Sequence, residues 1–384
     1  MIVITTEKVP IKSWCHNPEE GVLIQARNLA NLPFLAGPVT LMPDTHQGYG
    51  MPIGGVIATT GVVIPNAVGV DIGCGMHAVK TNLTKISVNK IKEIMSKIRE
   101  TIPLGFNHRK DPLPIPDLTE ETMLTILMQE YDSAKKQVGT LGGGNHFIEV
   151  QKGSDGFIWY MVHSGSRNLG KKVADWFNKI AKVMNERWFS SVPLNWDLAF
   201  LPLDTLDASN YLSCMQYCLD FAKVNRKTMS ELITQAFIDV GYNITIQQEI
   251  DIHHNYARME HHKNRNVLVH RKGATSARLN ELGLIPGSQG TTSYVVSGKG
   301  NLESYESCSH GAGRKMGRKV ACNTLSLEEE INRLNAKGII HAIRTKDDLE
   351  EAAGAYKDID VVMEEQKDLV EIIVKLEPLA VIKG

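Results

Sequence analysis

The sequence of 384 residues lacks any excess of charge, since 42 Lys and Arg residues stand against 43 Asp and Glu residues and the formal net charge is -1. This balance excludes a nucleic-acid-binding protein that works by bulk positive charge, although it leaves room for a local basic patch. No apolar run approaches the roughly 18 residues that a membrane helix needs. The first residues, MIVITTEKVPIKSW, lack the features of a signal peptide, so we expect a cytoplasmic enzyme without a membrane partner.

Cysteine is also sparse, with six residues, none of them in zinc-finger spacing. A disulfide framework is therefore not expected in a cytosolic chain of this size. Cys214 and Cys218 lie one turn apart in a predicted helix, where core packing is favoured over a redox or metal role. By contrast, the chain has 13 His and 32 Gly residues, many of the glycines in short loops. The histidines beside those loops are the candidate functional residues.

Hydrophobic patterning predicts an α+β fold with no internal repeat. Strand and helix patterns are mixed without strict alternation, which disfavours a doubly wound parallel sheet. Predicted strands include VTLMP, GGVIATTGVVIP, GMHAVKTNL, FIEV, FIWYMV, VLVHR and SYVV. Predicted helices cover 87–101, 118–138, 169–188, 207–240, 326–336 and 358–370. The Pro-rich segment HRKDPLPIPDL is interpreted as a surface loop within a single domain that spans 1–384.

A carboxylate and a thiol lie three residues apart in the glycine-rich segment NAVGVDIGCGM, at Asp71 and Cys74. Both groups are ligands for divalent metals, and a thiolate can bridge two of them. Glycine allows the backbone to approach a ligand closely. Taken alone, however, this segment fits a tight turn around a buried thiol somewhat better.

Several histidines lie in comparable surroundings. His146 follows a triple glycine whose amide groups could face phosphate oxygens, and His163 lies at the end of a predicted strand. In DIHHNY, His253 and His254 point in different directions on any regular element, so at most one is expected to be a ligand. Each histidine alone is equally compatible with an ordinary hydrogen-bonded structural role.

Together these segments suit a binuclear transition-metal site, because carboxylate, imidazole and thiolate ligands occur in one chain. The ligand types fit manganese, zinc, iron or cobalt without choosing among them. Two metals beside a phosphoryl group stabilise its attacking and leaving oxygens. His310 lies between small residues that leave room for a bulky adduct, so it is a candidate covalent nucleophile.

Nine segments also resemble, in the same order, the motifs of the RtcB family of GTP-dependent RNA ligases. They are MPDTHQGYGMPIGG, NAVGVDIGCGM, GTLGGGNHFIEV, HSGSRNLG, HHNYA, HRKGA, IPGSQGTTSYVV, SHGAGR and the terminal KG. The resemblance extends from about residue 5 to Gly384. It implies an RtcB-like fold in which mixed β-sheets surround a central metal and nucleotide cleft, with helices at the periphery.

The resemblance implies a ligase that joins an RNA 3′-phosphate or 2′,3′-cyclic phosphate to a 5′-hydroxyl, in RNA repair or tRNA splicing. Its cofactors would be GTP and two Mn(II) ions. Cys74 would bridge the ions, one completed by His146 and His163 and the other by Asp71 and His254.

The resemblance also assigns the covalent chemistry. His310 would attack the α-phosphate of GTP to form a histidine–GMP adduct, and Asp44 would orient it. GMP would then pass to the RNA 3′-phosphate and leave when the 5′-hydroxyl attacks. Implied nucleotide contacts are Asn145, Glu149, Ser288, Ser293, Tyr356 and Lys383. Candidate RNA or phosphate contacts are His46, Arg167, Asn255, Arg271 and Arg314.

Two other functions remain open at this point. One is a dinuclear metal phosphoesterase that acts on RNA ends without ligation. The other is a non-catalytic RNA-binding scaffold, which the intact set of candidate ligands disfavours. The sequence leaves open the physiological RNA, the oligomeric state and the need for an archease-like activator.

Overall fold

The protein combines eight α-helices with two large sheets whose strands are mostly antiparallel. The structure is a computed structural model that describes residues 1–384. Its α-helices are α1 (Glu20–Ala30), α2 (Val88–Thr101), α3 (Thr125–Lys135), α4 (Arg167–Arg187), α5 (Leu206–Asp239), α6 (Arg318–Thr324), α7 (Leu327–Ala336) and α8 (Ile359–Glu365). None of them combines the length and the apolar character that crossing a lipid bilayer requires.

The strands follow the chain in an order that interleaves with these helices. They are β1 (Ile2–Ile4), β2 (Ile11–Ser13), β3 (Val39–His46), β4 (Ile53–Thr59), β5 (Val62–Val63), β6 (Gly75–Thr81), β7 (Phe147–Gly153), β8 (Ile158–Ser164), β9 (Leu201–Pro202), β10 (Ile246–His253), β11 (Asn255–His262), β12 (Arg265–Lys272), β13 (Ala274–Ser276), β14 (Leu282–Ile285), β15 (Ser293–Gly298), β16 (Ser307–Ser309) and β17 (Val370–Lys383).

One sheet has six strands in the order β1-β2-β3-β4-β12-β11, and the other has seven in the order β10-β6-β8-β7-β17-β15-β14. Within these sheets only β2 and β3 pair in parallel. Two short pairs, β13 with β16 and β5 with β9, complete the strand pairing. The arrangement confirms the predicted α+β class and excludes a doubly wound sheet.

The strongest helical pattern forms the predicted helix, because both its cap and its apolar spacing are local. Ser87 precedes α2, and its hydroxyl accepts a hydrogen bond from the Lys90 amide. Ile91, Ile94 and Ile98 form the buried stripe of this helix. The helices predicted over 169–188 and 207–240 are confirmed as α4 and α5 within two residues at each end.

The long helix α5 is buried along much of its length, which also accounts for its two cysteines. Cys214 and Cys218 are fully buried in an apolar cluster with Phe177 and Tyr211. Burial raises the pKa of both thiols, to about 12 for Cys214. The two residues therefore pack in the core, as the sequence favoured.

The C-terminal region differs from its prediction. The helix predicted over 358–370 ends at Glu365, and Val370–Lys383 forms the long strand β17 in the middle of the seven-stranded sheet. Ile372 and Ile373 are both exposed, so the apolar residues do not alternate as in a half-buried strand. The 118–138 prediction is also too long, because α3 is preceded by a separate 3-10 turn at Glu120–Thr122.

Candidate metal centre and nucleotide cavity

Four adjacent strands bring the candidate metal ligands to one edge of the seven-stranded sheet. Their order is β10-β6-β8-β7, and each neighbour runs antiparallel to the next. Antiparallel pairing places the start of one strand beside the end of another. His163 near the end of β8 is therefore directly opposite Met76 in β6 and Phe147 in β7. The loops that carry Cys74, His146 and His254 adjoin the same edge.

The ligand atoms form two groups that share one sulfur. Cys74, His163 and His254 make one group, and Asp71, Cys74 and His146 make the other. The Cys74 Sγ atom lies 3.5 Å from His146 Nε2 and 3.3 Å from His163 Nε2. His146 Nε2 is also 3.2 Å from Asp71 Oδ2. This grouping differs from the expected partition, which paired His146 with His163 and Asp71 with His254 and which stays a prediction.

The histidine rings are oriented as metal ligands require. His146 Nδ1 contacts the Leu141 carbonyl at 3.0 Å, and His163 Nδ1 contacts the Asn145 carbonyl at 3.1 Å. A carbonyl partner fixes the proton on Nδ1, so Nε2 presents its lone pair to the shared sulfur. His254 Nδ1 is buried without any hydrogen-bond partner in the chain. An orphaned nitrogen in this position fits a bound cation.

The pKa values of the cluster residues also fit a metal site. Burial and the Asp71 carboxylate raise the pKa of the Cys74 thiol well above its usual range. Burial and neighbouring rings lower the pKa of His163 and His254, which keeps both imidazoles neutral. Neutral imidazole is the form that binds metal, and a divalent cation would convert the thiol to thiolate. The residues therefore fit a pair of transition-metal ions.

Helix α5 packs against the loop that carries Asp71 and Cys74. Gly73 has a φ of +75°, and a Cβ atom there would lie 3.1 Å from the Cys218 carbonyl oxygen in α5. Glycine is thus needed both for the backbone conformation and for the close packing. Arg226 of α5 is fully buried and donates to the carbonyls of Gly73 and Ser164 at 3.0 and 3.1 Å.

The same guanidinium forms a bidentate ion pair with Asp251 in β10, at 2.7 and 2.9 Å. Arg226 consequently joins the ends of β8 and β10 to the ligand loop. A buried charge that is paired and fully hydrogen-bonded avoids the penalty of an isolated one. Sequence patterns do not identify this residue, because an arginine within a long helix carries no local signal of such a role.

His310 faces the metal cluster from a different set of strands. It follows β16, and its ring packs edge-on against His254 with centroids 4.8 Å apart. Its Nδ1 lies 2.6 Å from Oδ2 of Asp44, a fully buried residue of β3. The same oxygen accepts from the amides of His310 and Gly311. Gly273 leaves room for the ring, since a Cβ atom there would lie 3.2 Å from His310 Cε1.

Asp44 carries its charge in a fully buried position. Burial acts to raise the pKa of its carboxyl, but the adjacent His310 ring outweighs this effect and the pKa is lowered. Burial also lowers the pKa of His46 to about 4, so that ring is neutral at pH 7. Asp44 therefore presents a carboxylate to Nδ1 of the His310 ring next to the cluster.

A cavity of about 1490 Å³ opens over His310 and the candidate ligands. Its wall includes the glycine-rich loop that precedes His146, and the C-terminal Gly384 amide reaches the His146 carbonyl at 3.4 Å. Lys383 lies beside this loop with its Nζ 3.3 Å from the Asn145 carbonyl oxygen. The end of β17 is thus a wall of the cavity rather than a loose tail.

Most of the proposed nucleotide contacts line this cavity. They are Asn145, Glu149, Ser288, Tyr356 and Lys383. Ser293 does not line it, because it is buried and its hydroxyl accepts from the Gly287 amide. It therefore supports the loop that carries Ser288.

The candidate RNA contacts divide in the same way. His46, Arg167, Asn255 and Arg314 line the cavity. Arg271 is not brought there, since its side chain is 0% exposed and its guanidinium is bonded to Glu260. That buried ion pair gives Arg271 a structural position between β11 and β12, outside the cavity lining.

Glu351 is a cavity residue that the sequence did not indicate. It is buried, and its carboxylate binds Arg314 at 2.9 Å and Arg318 at 2.8 Å and accepts from the Tyr356 hydroxyl. It consequently fixes two residues of the cavity wall. No local signal marks it within the acidic segment DDLEE.

Lys272 is a second cavity residue that the sequence did not single out, although it lies in the HRKGA motif. Its Nζ donates to the carbonyls of Tyr49 and Asn66 at 2.6 and 3.0 Å, and burial lowers its pKa to about 7.

The fold and this site define an α+β protein with a cysteine-centred metal-ligand cluster beside a paired histidine and carboxylate. A family model described as tRNA-splicing ligase RtcB matches residues 25–132 and 118–384. The RNA-splicing ligase RtcB of Escherichia coli strain K12 is 36% identical over 412 aligned positions, which cover 100% of this chain and 99% of the bacterial protein. The tRNA-splicing ligase RtcB of Thermococcus kodakarensis is 32% identical over 95% of this chain and 92% of its own length.

The chain therefore belongs to the RtcB family. This result confirms the resemblance carried by the nine sequence motifs. The matches extend over the whole fold, including the strands that carry the ligand cluster and the segment that carries His310.

The shared sulfur predicts how metal content responds to substitution. Cys74→Ser should lose both ions, whereas Asp71→Asn should keep about one of two Mn(II) equivalents, because only one ligand group contains Asp71. Elemental analysis of dialysed, Mn(II)-loaded protein measures this, with circular dichroism to confirm folding. The control Cys322→Ser removes a thiol outside the cluster and should retain full metal content. Equal losses in the Cys74 and Asp71 variants would contradict a shared ligand.

The raised pKa of Glu149 predicts that the free energy of unfolding depends on pH. Burial raises its pKa from 4.5 to about 8, so the folded protein binds more protons than the unfolded chain between these values. Stability is then lost as pH rises through this window, by at most roughly 1.4 kcal/mol per pH unit. Glu149→Gln removes that loss, so its stability relative to wild type should rise from pH 5 to pH 8. Urea unfolding of the nucleotide-free protein measures the difference.

The exposed Glu371→Gln in β17 is the matched control and should follow the wild-type pH profile. A constant difference between Glu149→Gln and wild type across the window would show that Glu149 is already ionised in the folded protein.

Proposed function

We propose that this protein is a GTP-dependent RNA ligase that joins 3′-phosphate or 2′,3′-cyclic phosphate ends to 5′-hydroxyl ends. The observation that carries the proposal is the position of His310, held by Asp44 on one side and packed against His254 of the ligand cluster on the other. A metal-ligand cluster alone would serve hydrolysis equally well. A histidine that lines the cavity and is oriented by a buried carboxylate is what a covalent nucleophile needs, and hydrolysis does not require it.

In the first step His310 attacks the α-phosphorus of GTP. Because Asp44 faces Nδ1, the Nε2 lone pair is the free nucleophile, and a P–N bond forms as the bond to pyrophosphate breaks. The Asp44 carboxylate offsets the positive charge that develops on the ring, as a carboxylate does beside a catalytic imidazole. The product is a histidine–GMP adduct.

The adduct then supplies GMP to the RNA. An oxygen of the RNA 3′-phosphate attacks the phosphorus of GMP, the P–N bond breaks, and His310 is regenerated. The RNA 5′-hydroxyl next attacks the activated 3′-phosphate, so a phosphodiester forms and GMP departs. A cyclic phosphate must first be opened by water to a 3′-phosphate.

Two Mn(II) ions are the metals we propose for the cluster. Asp71, Cys74, His146, His163 and His254 would hold them, in the two groups that share the cysteine sulfur. When bound, such ions would offset the negative charge that accumulates on phosphoryl oxygens.

The nucleotide is proposed to lie against the C-terminal wall of the cavity. Glu149, Lys383 and Ser288 offer a carboxyl, an ammonium and a hydroxyl to guanine, and Tyr356 offers a ring for stacking. Asn145, next to the cluster, is the proposed contact for the GMP phosphate. Ser293 is proposed to act through the Ser288 loop that it supports.

The charged residues of the cavity wall explain how a chain without excess positive charge would bind RNA. Its wall contains seven Lys and Arg residues against five Asp and Glu residues, before any metal is counted. Positive potential confined to a cavity attracts phosphate locally without strong nonspecific binding. His46, Arg167, Asn255 and Arg314 are the proposed contacts to RNA or triphosphate. We extend the proposal to RNA repair or tRNA splicing in the cytoplasm, with an archease-like protein as a candidate activator.

Covalent labelling separates ligase from phosphoesterase. Wild-type protein incubated with GTP labelled at the α-phosphate and with Mn(II) should give a radioactive band on denaturing electrophoresis, while His310→Ala should give none. The exposed His261→Ala in β11 is the control and should label like wild type. Hydrolysis of phosphate ends without any labelled wild-type band would instead support the phosphoesterase.

Asp44→Asn should slow labelling without abolishing metal binding. The amide keeps the shape of the carboxylate but removes its charge, so the rate of adduct formation is expected to fall by about 10²- to 10⁴-fold. Single-turnover labelling measures the rate, and elemental analysis of the same sample measures the metal. Loss of metal together with rate would show that Asp44 instead maintains the ligand cluster.

A further inference from the structure

Phe106 is the most exposed large hydrophobic residue of the protein, at 98% of its surface. It lines the same cavity as His310 and the ligand cluster, but the metal and guanine contacts proposed above do not use it. An apolar ring in water contributes nothing to the core. Single exposed apolar residues are common on protein surfaces, but this ring lines the cavity in which we propose that the nucleotide binds.

The turn that carries Phe106 is tied down on both sides. The Gly105 amide donates to the Gly142 carbonyl at 3.1 Å, in the loop that leads to the metal ligand His146. The Asn107 amide donates to the Leu104 carbonyl at 3.1 Å, and the Arg109 amide reaches the Lys136 carbonyl at 2.9 Å. These bonds fix the backbone on either side of the ring, so the aromatic side chain projects from a defined point of the cavity lining.

We propose that Phe106 is a stacking platform for a nucleobase of the RNA close to the end being joined. This inference rests on the proposed ligase function. Base–aromatic stacking tolerates any sequence, because every base has a π-face. It therefore suits an enzyme that must accept RNA ends of different sequence and hold them single-stranded beside the reacting phosphate.

The cavity lining also favours a nucleic acid strand. His108, Lys171 and Arg318 line the same cavity, and each offers a donor to a phosphate oxygen. Aromatic rings interleaved with basic side chains are the usual composition of a groove for single strands. A purely apolar partner would not need these hydrogen-bond donors.

RNA is favoured over GTP as the source of the base. Glu149, the proposed guanine contact, is 3% exposed, whereas Phe106 is almost entirely exposed. A mononucleotide can end inside the cavity, but a polymer has to leave it across the rim. The exposed ring is thus placed for the strand that continues outward.

Three variants test the platform. Phe106→Ala should weaken binding of a 3′-phosphate oligonucleotide by about 5- to 100-fold, the range that one lost base–aromatic contact produces. Phe106→Trp should restore binding. Phe189→Ala is the matched control, because Phe189 is 94% exposed but does not line the cavity. Fluorescence anisotropy measures the dissociation constant, and labelling with GTP is followed in the same preparations.

Abasic substrates locate the stacked base. Removing one base at a time from the RNA end should weaken binding to wild type at one position, and Phe106→Ala should show no further loss there. If Phe106→Ala binds RNA like wild type, or if the two losses add at every position, the proposal is overturned. A variant that needs more GTP for labelling, with unchanged RNA affinity, would assign the ring to the nucleotide and also overturn it. A wild-type protein that never labels would refute the ligase function itself.

Discussion

The connection on which the site depends is the single residue between β10 and β11, His254. The strand before it belongs to the seven-stranded sheet and the strand after it to the six-stranded sheet. Its ring contacts His163 of the first sheet at 5.2 Å between centroids and His310 on the other side at 4.8 Å. The relative placement of the two sheets therefore also sets the position of the candidate metal ligands relative to Asp44, the residue of the six-stranded sheet that holds the proposed nucleophile His310. Any shift between the sheets would separate the two halves of the chemistry.

Sequence patterns located the ligands well because each lies in a short glycine-rich segment with its own local signal. They could not assign the ligands to groups, since Asp71 and His146 are 75 residues apart and become neighbours only through the pairing of β6, β8 and β7. For the same reason, sequence patterns could not show that the buried side chains of Arg271 and Ser293 lie outside the cavity lining. Motif membership shows that a residue lies near a site, but only packing shows whether its polar atoms face the cavity or a structural partner.

Strand β17, by contrast, is a long element that the sequence pattern did not predict. It lies between β7 and β15, so its backbone hydrogen bonds are satisfied by two neighbours whatever its side-chain pattern. Tertiary pairing of this kind overrides local propensity. The consequence is functional as well, because the pairing carries Lys383 to the cavity, opposite Phe147 in the register of the sheet. A residue that looks like part of a frayed terminus is held in place by the sheet.

The buried carboxylate of Asp44 offsets the positive charge that the proposed chemistry brings together around His310. A nucleophilic histidine next to a cation site must gain positive charge during its attack, and repulsion from the metals opposes that gain. A carboxylate placed on the far side of the ring reverses this effect without competing for the metals. Asp44 meets that requirement because the amides of His310 and Gly311 both donate to its Oδ2 atom and offset the cost of burying it. The proposed nucleophile and its counter-charge are thus bound to each other through the backbone amides of His310 and Gly311, independently of the candidate metal ligands.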